Sequence, residues 1–202
     1  MDLIMLNIRH YLGTGALLMF SSALTATELE TLGPLEPRTE GPAVTINASA
    51  HPIRLPLGSL VGATFMGGKG EIINYDEAKG LYVTVVTPPQ WGTPDFQMNQ
   101  VPGYIFNRDY DEVDDPALVQ ELEAMSQLTL EPASGKKVGV MDLGEVTAYI
   151  AFAPTKTTVL LSSGDLPDLF THLALDGFTW EELTEEILRG VGMPEQETRQ
   201  GE

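Results

Sequence analysis

The chain has 202 residues, 43% of them hydrophobic, enough for one domain with a sizeable core. Asp and Glu number 29 against 11 Lys and Arg, and the net charge of −18 excludes nucleic acid and anionic lipid surfaces as natural partners, since both are bound by neutralising phosphate with basic side chains. The absence of cysteine removes disulfides, zinc–thiolate sites, iron–sulfur clusters and thiol nucleophiles at once.

Residues 1–26 read as a signal peptide. Arg9 and His10 precede the apolar run Tyr11 to Ala26, and Ser21 with Ala23 forms a small-x-small cleavage site, with Leu24 and Ala26 a poorer one. The run is too short, and too rich in Gly, Thr and Ser, to span a bilayer comfortably. Translation from Met5 would remove Asp2, which is out of place in a basic leader. The expected location is therefore periplasmic or extracellular, without stable membrane insertion after cleavage. Residues 27–42 are rich in Pro, Gly and Glu without an apolar period and read as a flexible tether. Asn47-Ala48-Ser49 fits a glycosylation acceptor, relevant only in a eukaryotic secretory route.

A single α+β domain is expected over residues 43–192, followed by a disordered tail at 193–202. Val44 and Ile46 predict a short strand, and Val61 to Met66 another. Gly67 to Gly70 predicts a turn, then come strands at Glu71 to Tyr75 and Leu81 to Thr87 around a turn at Asp76 to Gly80. Pro88 to Gly103, with four prolines, reads as a long irregular loop and the rim of any binding site. Within it, Trp91 reads first as a plug pinning the loop to the core; alternatively, Trp91 and Phe96 form a stacking platform for a ligand.

Asp115 and Pro116 supply N-cap and first position of a helix to about Met125, with Leu118, Leu122 and Met125 as its stripe. Strands follow at Lys137 to Leu143, Glu145 to Ala153 and Lys156 to Ser162; the middle one is apolar on both faces and is expected to be central. Leu169, Phe170 and Leu173 predict a helix from Asp168 to Asp176. Thr179 and Glu182 form a capping box opening the last helix, with Phe178 stapled to Leu183 and a stripe of Trp180, Leu183, Ile187, Leu188 and Val191. The order predicts an antiparallel sheet, a meander plus a three-stranded second half, packed by about three helices.

The search for chemistry excludes more than it finds. Beyond the leader there are two histidines, His51 and His172, and Ser59 lacks the flanking glycines of a nucleophile elbow. Gly68-Lys69 has Ala63 where a phosphate loop needs its first Gly, and Gly70 where it needs a hydroxyl. Asp109 and Asp111 have the alternate spacing of a calcium loop, but Val113 replaces the next ligand and Asp114 the turn glycine. That cluster reads instead as an acidic loop ahead of a helix N-terminus. The expectation is a non-enzymatic exported binding domain, without catalytic, cofactor-binding or metal-ligating residues, whose protein partner presents a basic surface. The alternative is a carboxylate-based hydrolase with a divalent cation at Asp109 to Asp115 and the Trp91 loop lining its cleft.

Overall fold

A computed structural model describes residues 29–47, 50–68, 70–88, 96–133 and 137–192. The expected signal peptide at residues 1–26, Trp91, Lys69, the Ala48-Ser49 pair and the expected tail at 193–202 lie outside the described residues. The fold is α+β, as the sequence predicts: a large, mostly antiparallel sheet with helices on it and a small second sheet.

Among the described residues, ten strands run β1 (Glu30–Pro34), β2 (Ala43–Ile46), β3 (Ile53–Pro56), β4 (Thr64–Met66), β5 (Glu71–Asn74), β6 (Gly80–Val86), β7 (Lys137–Asp142), β8 (Thr147–Phe152), β9 (Thr157–Ser162) and β10 (Phe170–Asp176). Eight of them form one sheet in the order β1-β7-β8-β9-β10-β6-β5-β4, while β2 and β3 pair as a separate hairpin. Helix α1 (Val101–Asn107) and α2 (Pro116–Leu130) lie between β6 and β7 in sequence. The last segment opens with a short helix, α3 (Trp180–Glu182), and continues as a π turn (Leu183–Ile187) and a 3-10 turn (Leu188–Gly190).

The sheet is buried on both faces. On one side Ala148, Ile150, Val159, Leu161, Leu173 and Leu175 meet Ile53 and Leu55 of the hairpin and Leu183, Ile187 and Leu188 of the C-terminal turns. On the other, Ala151, Leu160 and Phe170 meet Val101, Ile105 and Phe106 of α1 and Leu118 and Leu122 of α2. Strand β8 contributes to both layers and sits between β7 and β9, the central place its two apolar faces predict.

Four local expectations are corrected. Residues 168–176 are not a helix; Phe170–Asp176 is strand β10, paired on both sides with β9 and β6. The spacing of Leu169, Phe170 and Leu173 suits a helix, but the same letters place Thr171, Leu173 and Leu175 on one face at period two. Two neighbouring strands supply the ladder that decides between them. The last residues of the expected loop open a helix, Val101–Asn107: Pro102 stands in the first turn, where its missing N–H is harmless, and Val101 and Ile105 are one helical turn apart. Glu30–Pro34, expected within the tether, is an edge strand running parallel to β7, with Leu32 and Leu35 packed on the core. A Cβ on Gly139 would strike the Glu30 carbonyl, so this glycine permits the pairing. Val61 to Met66 is a strand only from Thr64, because Leu57–Leu60 forms a 3-10 turn and Gly62 turns the chain at φ +84°.

The remaining elements follow the sequence closely. Asp115 accepts a hydrogen bond from the Ala117 N–H at 2.9 Å, but α2 runs to Leu130, beyond Met125, because Ser126 and Thr129 are buried on the same face as Leu122. The capping box is formed: Glu182 N–H donates to Thr179 Oγ1 at 3.2 Å, and Thr179 N–H donates to Glu182 Oε2 at 2.8 Å. Lys79 Nζ ties the β5–β6 turn to this cap through Glu182 at 2.8 Å, which holds the Glu182 carboxyl below its ordinary range.

Candidate functional site

The α1 helix borders an open cleft of the described surface. Asn99 fixes the approach to α1: its N–H donates to the Pro167 carbonyl at 3.2 Å, its side-chain amide donates to the Ser163 carbonyl at 3.1 Å, and Ser162 Oγ donates to its carbonyl at 2.6 Å. These bonds tie the segment to the β9–β10 connection. Gly103 faces β8, where a Cβ would stand in contact with the Tyr149 hydroxyl at 3.4 Å. Arg108 ends the helix in the left-handed region, at φ 55°, with its N–H donating to the Tyr104 carbonyl at 3.0 Å.

That turn directs Asp109, Asp111 and Glu112 to the rim of a cleft of about 580 Å³, with Asn99, Gln100, Tyr104, Asn107 and Tyr149 completing its lining. The Arg108 guanidinium does not neutralise the rim in these contacts; its Nε donates to Ser126 Oγ at 3.1 Å, and that hydroxyl donates to the Ile105 carbonyl at 2.7 Å. The ion pairs among the described residues are Lys79–Glu182 and Arg189–Glu185, neither of which involves the cleft. Burial raises the Tyr104 phenol above its ordinary pKa, and the negative charges of Glu112 and Asp109 raise it further, so the rim's field reaches the tyrosine. Burial likewise raises Tyr149.

The carboxylates do not converge. Asp109 Oδ1 accepts from the Asp111 N–H at 3.2 Å, a local turn, and no set of three or more Asp, Glu, His or Cys side chains among the described residues is placed to hold a metal ion. Asp115, at the end of the acidic run, is occupied in capping α2. Glu121 is a carboxyl raised by burial, and it lies on α2 outside the cleft lining.

Other residues singled out in the sequence lie elsewhere. Phe96 packs against Tyr104, ring centroids 5.8 Å apart, and is partly buried. Ser59 Oγ donates to the Pro56 carbonyl at 2.9 Å, a local turn contact. His51 is fully buried and shares a 2.9 Å hydrogen bond between Nδ1 and Thr171 Oγ1; burial lowers its pKa to about 4. His172, expected on a helix, stands on β10, and burial together with the Lys156 charge lowers it to about 4. Asn99, Gln100, Tyr104 and Tyr149 are cleft residues that sequence reasoning missed, whereas Asn107 opens the acidic cluster considered as a calcium loop. The hidden helix at Val101, with the turn that leads into it, was the one signal that could have gathered three of them.

No family model matches the chain, and no curated protein or solved structure matches it either. The function must therefore be argued from the cleft itself. No helix among the described residues is long and apolar enough to cross a membrane.

Proposed function

We propose that this chain is a non-enzymatic, exported binding module whose α1 cleft receives a basic side chain presented by a protein partner. The observation that carries the reading is the rim of Asp109, Asp111 and Glu112, three carboxylates left out of the ion pairs among the described residues, over a wall of Tyr104 and Tyr149. A guanidinium or ammonium entering there meets carboxylates at the mouth and aromatic rings and amides within, the combination that suits a cation on an apolar stem. The −18 charge of the chain steers such a partner from a distance and acts mainly on the association rate. The exported location, periplasmic or secreted, rests on the apolar run from Tyr11 to Ala26.

Two measurements test this. Lysine- and arginine-rich peptides, titrated against the full chain, should bind with an association rate that falls as salt rises, because exposed charges are screened beyond about 8 Å at physiological ionic strength. Asp109→Asn with Asp111→Asn and Glu112→Gln should flatten that slope, and Glu181→Gln with Glu185→Gln, away from the cleft, should change it less. Equal effects from the two sets would show that general charge, and not the cleft, receives the peptide. Protein recovered from its host should begin near Leu24 or Thr27 by N-terminal sequencing. An intact Met1 or Met5 on the secreted form would overturn the export reading.

A further inference from the structure

On the side of the sheet away from the cleft, three arginines from distant segments meet where the C-terminal turns lie on the β2–β3 hairpin. Arg54 stands on β3 between Ile53 and Leu55, both fully buried, so strand alternation turns its side chain away from the core. Thr45, directly opposite on β2, shares that outer face. Arg38, in the segment after β1, donates its N–H to the Arg189 carbonyl and reaches the Arg54 carbonyl with Nη1 at 3.5 Å. Arg189 lies in the last turn, and the next residue, Gly190, rests so closely on the Arg54 backbone that a Cβ there would strike it. These backbone contacts fix the three segments against one another.

The balance of charge makes the cluster informative. Asp and Glu outnumber Lys and Arg 29 to 11, so carboxylates are plentiful as partners. Among the described residues, Lys79 pairs with Glu182 and Arg189 with Glu185, but neither Arg38 nor Arg54 has a carboxylate partner. Arg38 makes its one side-chain contact with a carbonyl, and no hydrogen bond among the described residues is donated by the Arg54 side chain. Both residues are half-buried. Like charges gathered where water is partly withdrawn repel one another, and an anion seated among them reverses the sign of that interaction.

We infer that Arg38 and Arg54, with Arg189 beside them, form a site for a small oxyanion, the carboxylate or phosphate group of a soluble compound. A guanidinium presents a planar fork of N–H donors that matches the oxygens of either group. Arg54 has its whole fork to offer, and Arg38 and Arg189 keep those donors not directed to the Arg54 carbonyl, the Glu36 carbonyl and Glu185. The Thr45 hydroxyl supplies a further donor on the same face. Charge also limits the size of the ligand. With −18 on the chain as a whole, a polyanion is repelled over most of its length, whereas a single oxyanion meets chiefly the arginines.

The test is thermal melting of the full chain in rising inorganic phosphate and, separately, in citrate, each against sodium chloride of equal ionic strength. A ligand that binds the native state raises the melting temperature along a saturation curve. Phosphate also stabilises proteins through exclusion from their surface, which neither saturates nor depends on particular arginines. The expected result is a saturable rise in phosphate or citrate that chloride does not reproduce, and the salt that half-saturates at lower concentration identifies the class of anion. Arg54→Gln should raise the half-saturating concentration by about tenfold or more, as should Arg38→Gln. Arg54→Lys, which keeps the charge and loses the fork, should recover only part of the affinity. Glu185→Gln releases Arg189 and should tighten binding. No rise beyond that in chloride overturns the inference, and so does a rise that survives Arg38→Gln combined with Arg54→Gln. Glu195 and Glu197 follow Gly192 closely in sequence. Binding that appears only after Glu195→Gln with Glu197→Gln would give the site to the chain's own carboxylates and overturn it as a ligand site.

Discussion

The two faces of the sheet are closed by different means. On one, Leu183, Ile187 and Leu188 of the C-terminal turns and Ile53 and Leu55 of the β2–β3 hairpin form an apolar lid, nearly all of it withdrawn from water. On the other, α1 and α2 seal the centre with Ile105, Phe106 and Leu122, but the layer then opens at Tyr104 and Tyr149 into the acid-rimmed cleft. The contrast separates the work of holding the fold from the work of meeting a ligand. The first face is closed by buried apolar side chains, and the second can change its rim without disturbing the core beneath.

If that division holds, the largest effect belongs to the closed face. Leu183→Ala removes a side chain that is fully buried between the sheet and the capping box, and should cost about 2–5 kcal/mol in urea melts. Leu128→Ala, on the other face and 70% exposed, should cost about 0.5 kcal/mol or less. Comparable losses would show that the lid is not the sealed layer described above.

Acid should find the same asymmetry. His51 is held neutral on the closed face beside Thr171, its pKa lowered by burial to about 4, against an ordinary 6.5. The unfolded chain takes up this proton near pH 6.5 and the folded chain only near pH 4, so stability falls as pH drops through that window and levels off below it. The loss from His51 should be about 2–3 kcal/mol. Lowering of His172 acts in the same direction, but this ring, on the other face of β10, keeps part of its surface in water, so its charged form is more easily solvated. His51→Gln should therefore flatten the pH dependence of urea midpoints more than His172→Gln. The reverse order would break the comparison between the faces.

The closed face was also the more legible one. The Thr179–Glu182 box, the Leu183/Ile187/Leu188 stripe and the alternation of β8 are each written in residues a few positions apart, and local pattern suffices for such elements. Strand β10 defeated that approach because Leu173 and Leu175 are at strand spacing while Leu169 and Leu173 are at helix spacing, and only β6 and β9, distant in sequence, choose between them. Strand β1 was hidden because Pro34 and the glutamates resemble a linker, yet an edge strand tolerates both. Of the cleft, Asp109, Asp111 and Glu112 were visible as an acidic run. Tyr149 was not, because it is brought beneath α1 by the pairing of β7, β8 and β9, and no local signal in the sequence records that approach.

Smaller effects test how closely the closed face is fitted. Gly190 packs its Cα against the Arg54 backbone so tightly that an added Cβ would strike the Arg54 carbonyl. Neither backbone is a flexible end that can turn aside. Gly190→Ala should cost about 1–3 kcal/mol as overpacking, with a lowered urea midpoint as the reading. An unchanged midpoint would mean the C-terminal turns ride loosely on the hairpin.

The smallest effect is expected at the outer edge of the same turns. Glu185 pairs with Arg189 at 2.8 Å, one helical turn away, and the two side chains are 50% and 35% exposed. Water screens a pair of this kind, and holding two long side chains in one geometry opposes the attraction. Arg189 also keeps a second contact when Glu185 is removed, since its Nε donates to the Glu36 carbonyl at 3.1 Å and ties the turns to the segment after β1. Glu185→Ala should therefore cost about 0.5 kcal/mol or less, only two positions from Leu183. Added salt should shrink even that difference, because the attraction is between exposed charges. If Glu185→Ala instead approached Leu183→Ala in size, the buried and exposed sides of the π turn would be interchanged. The lid would then have to be redrawn with Glu185 facing the sheet.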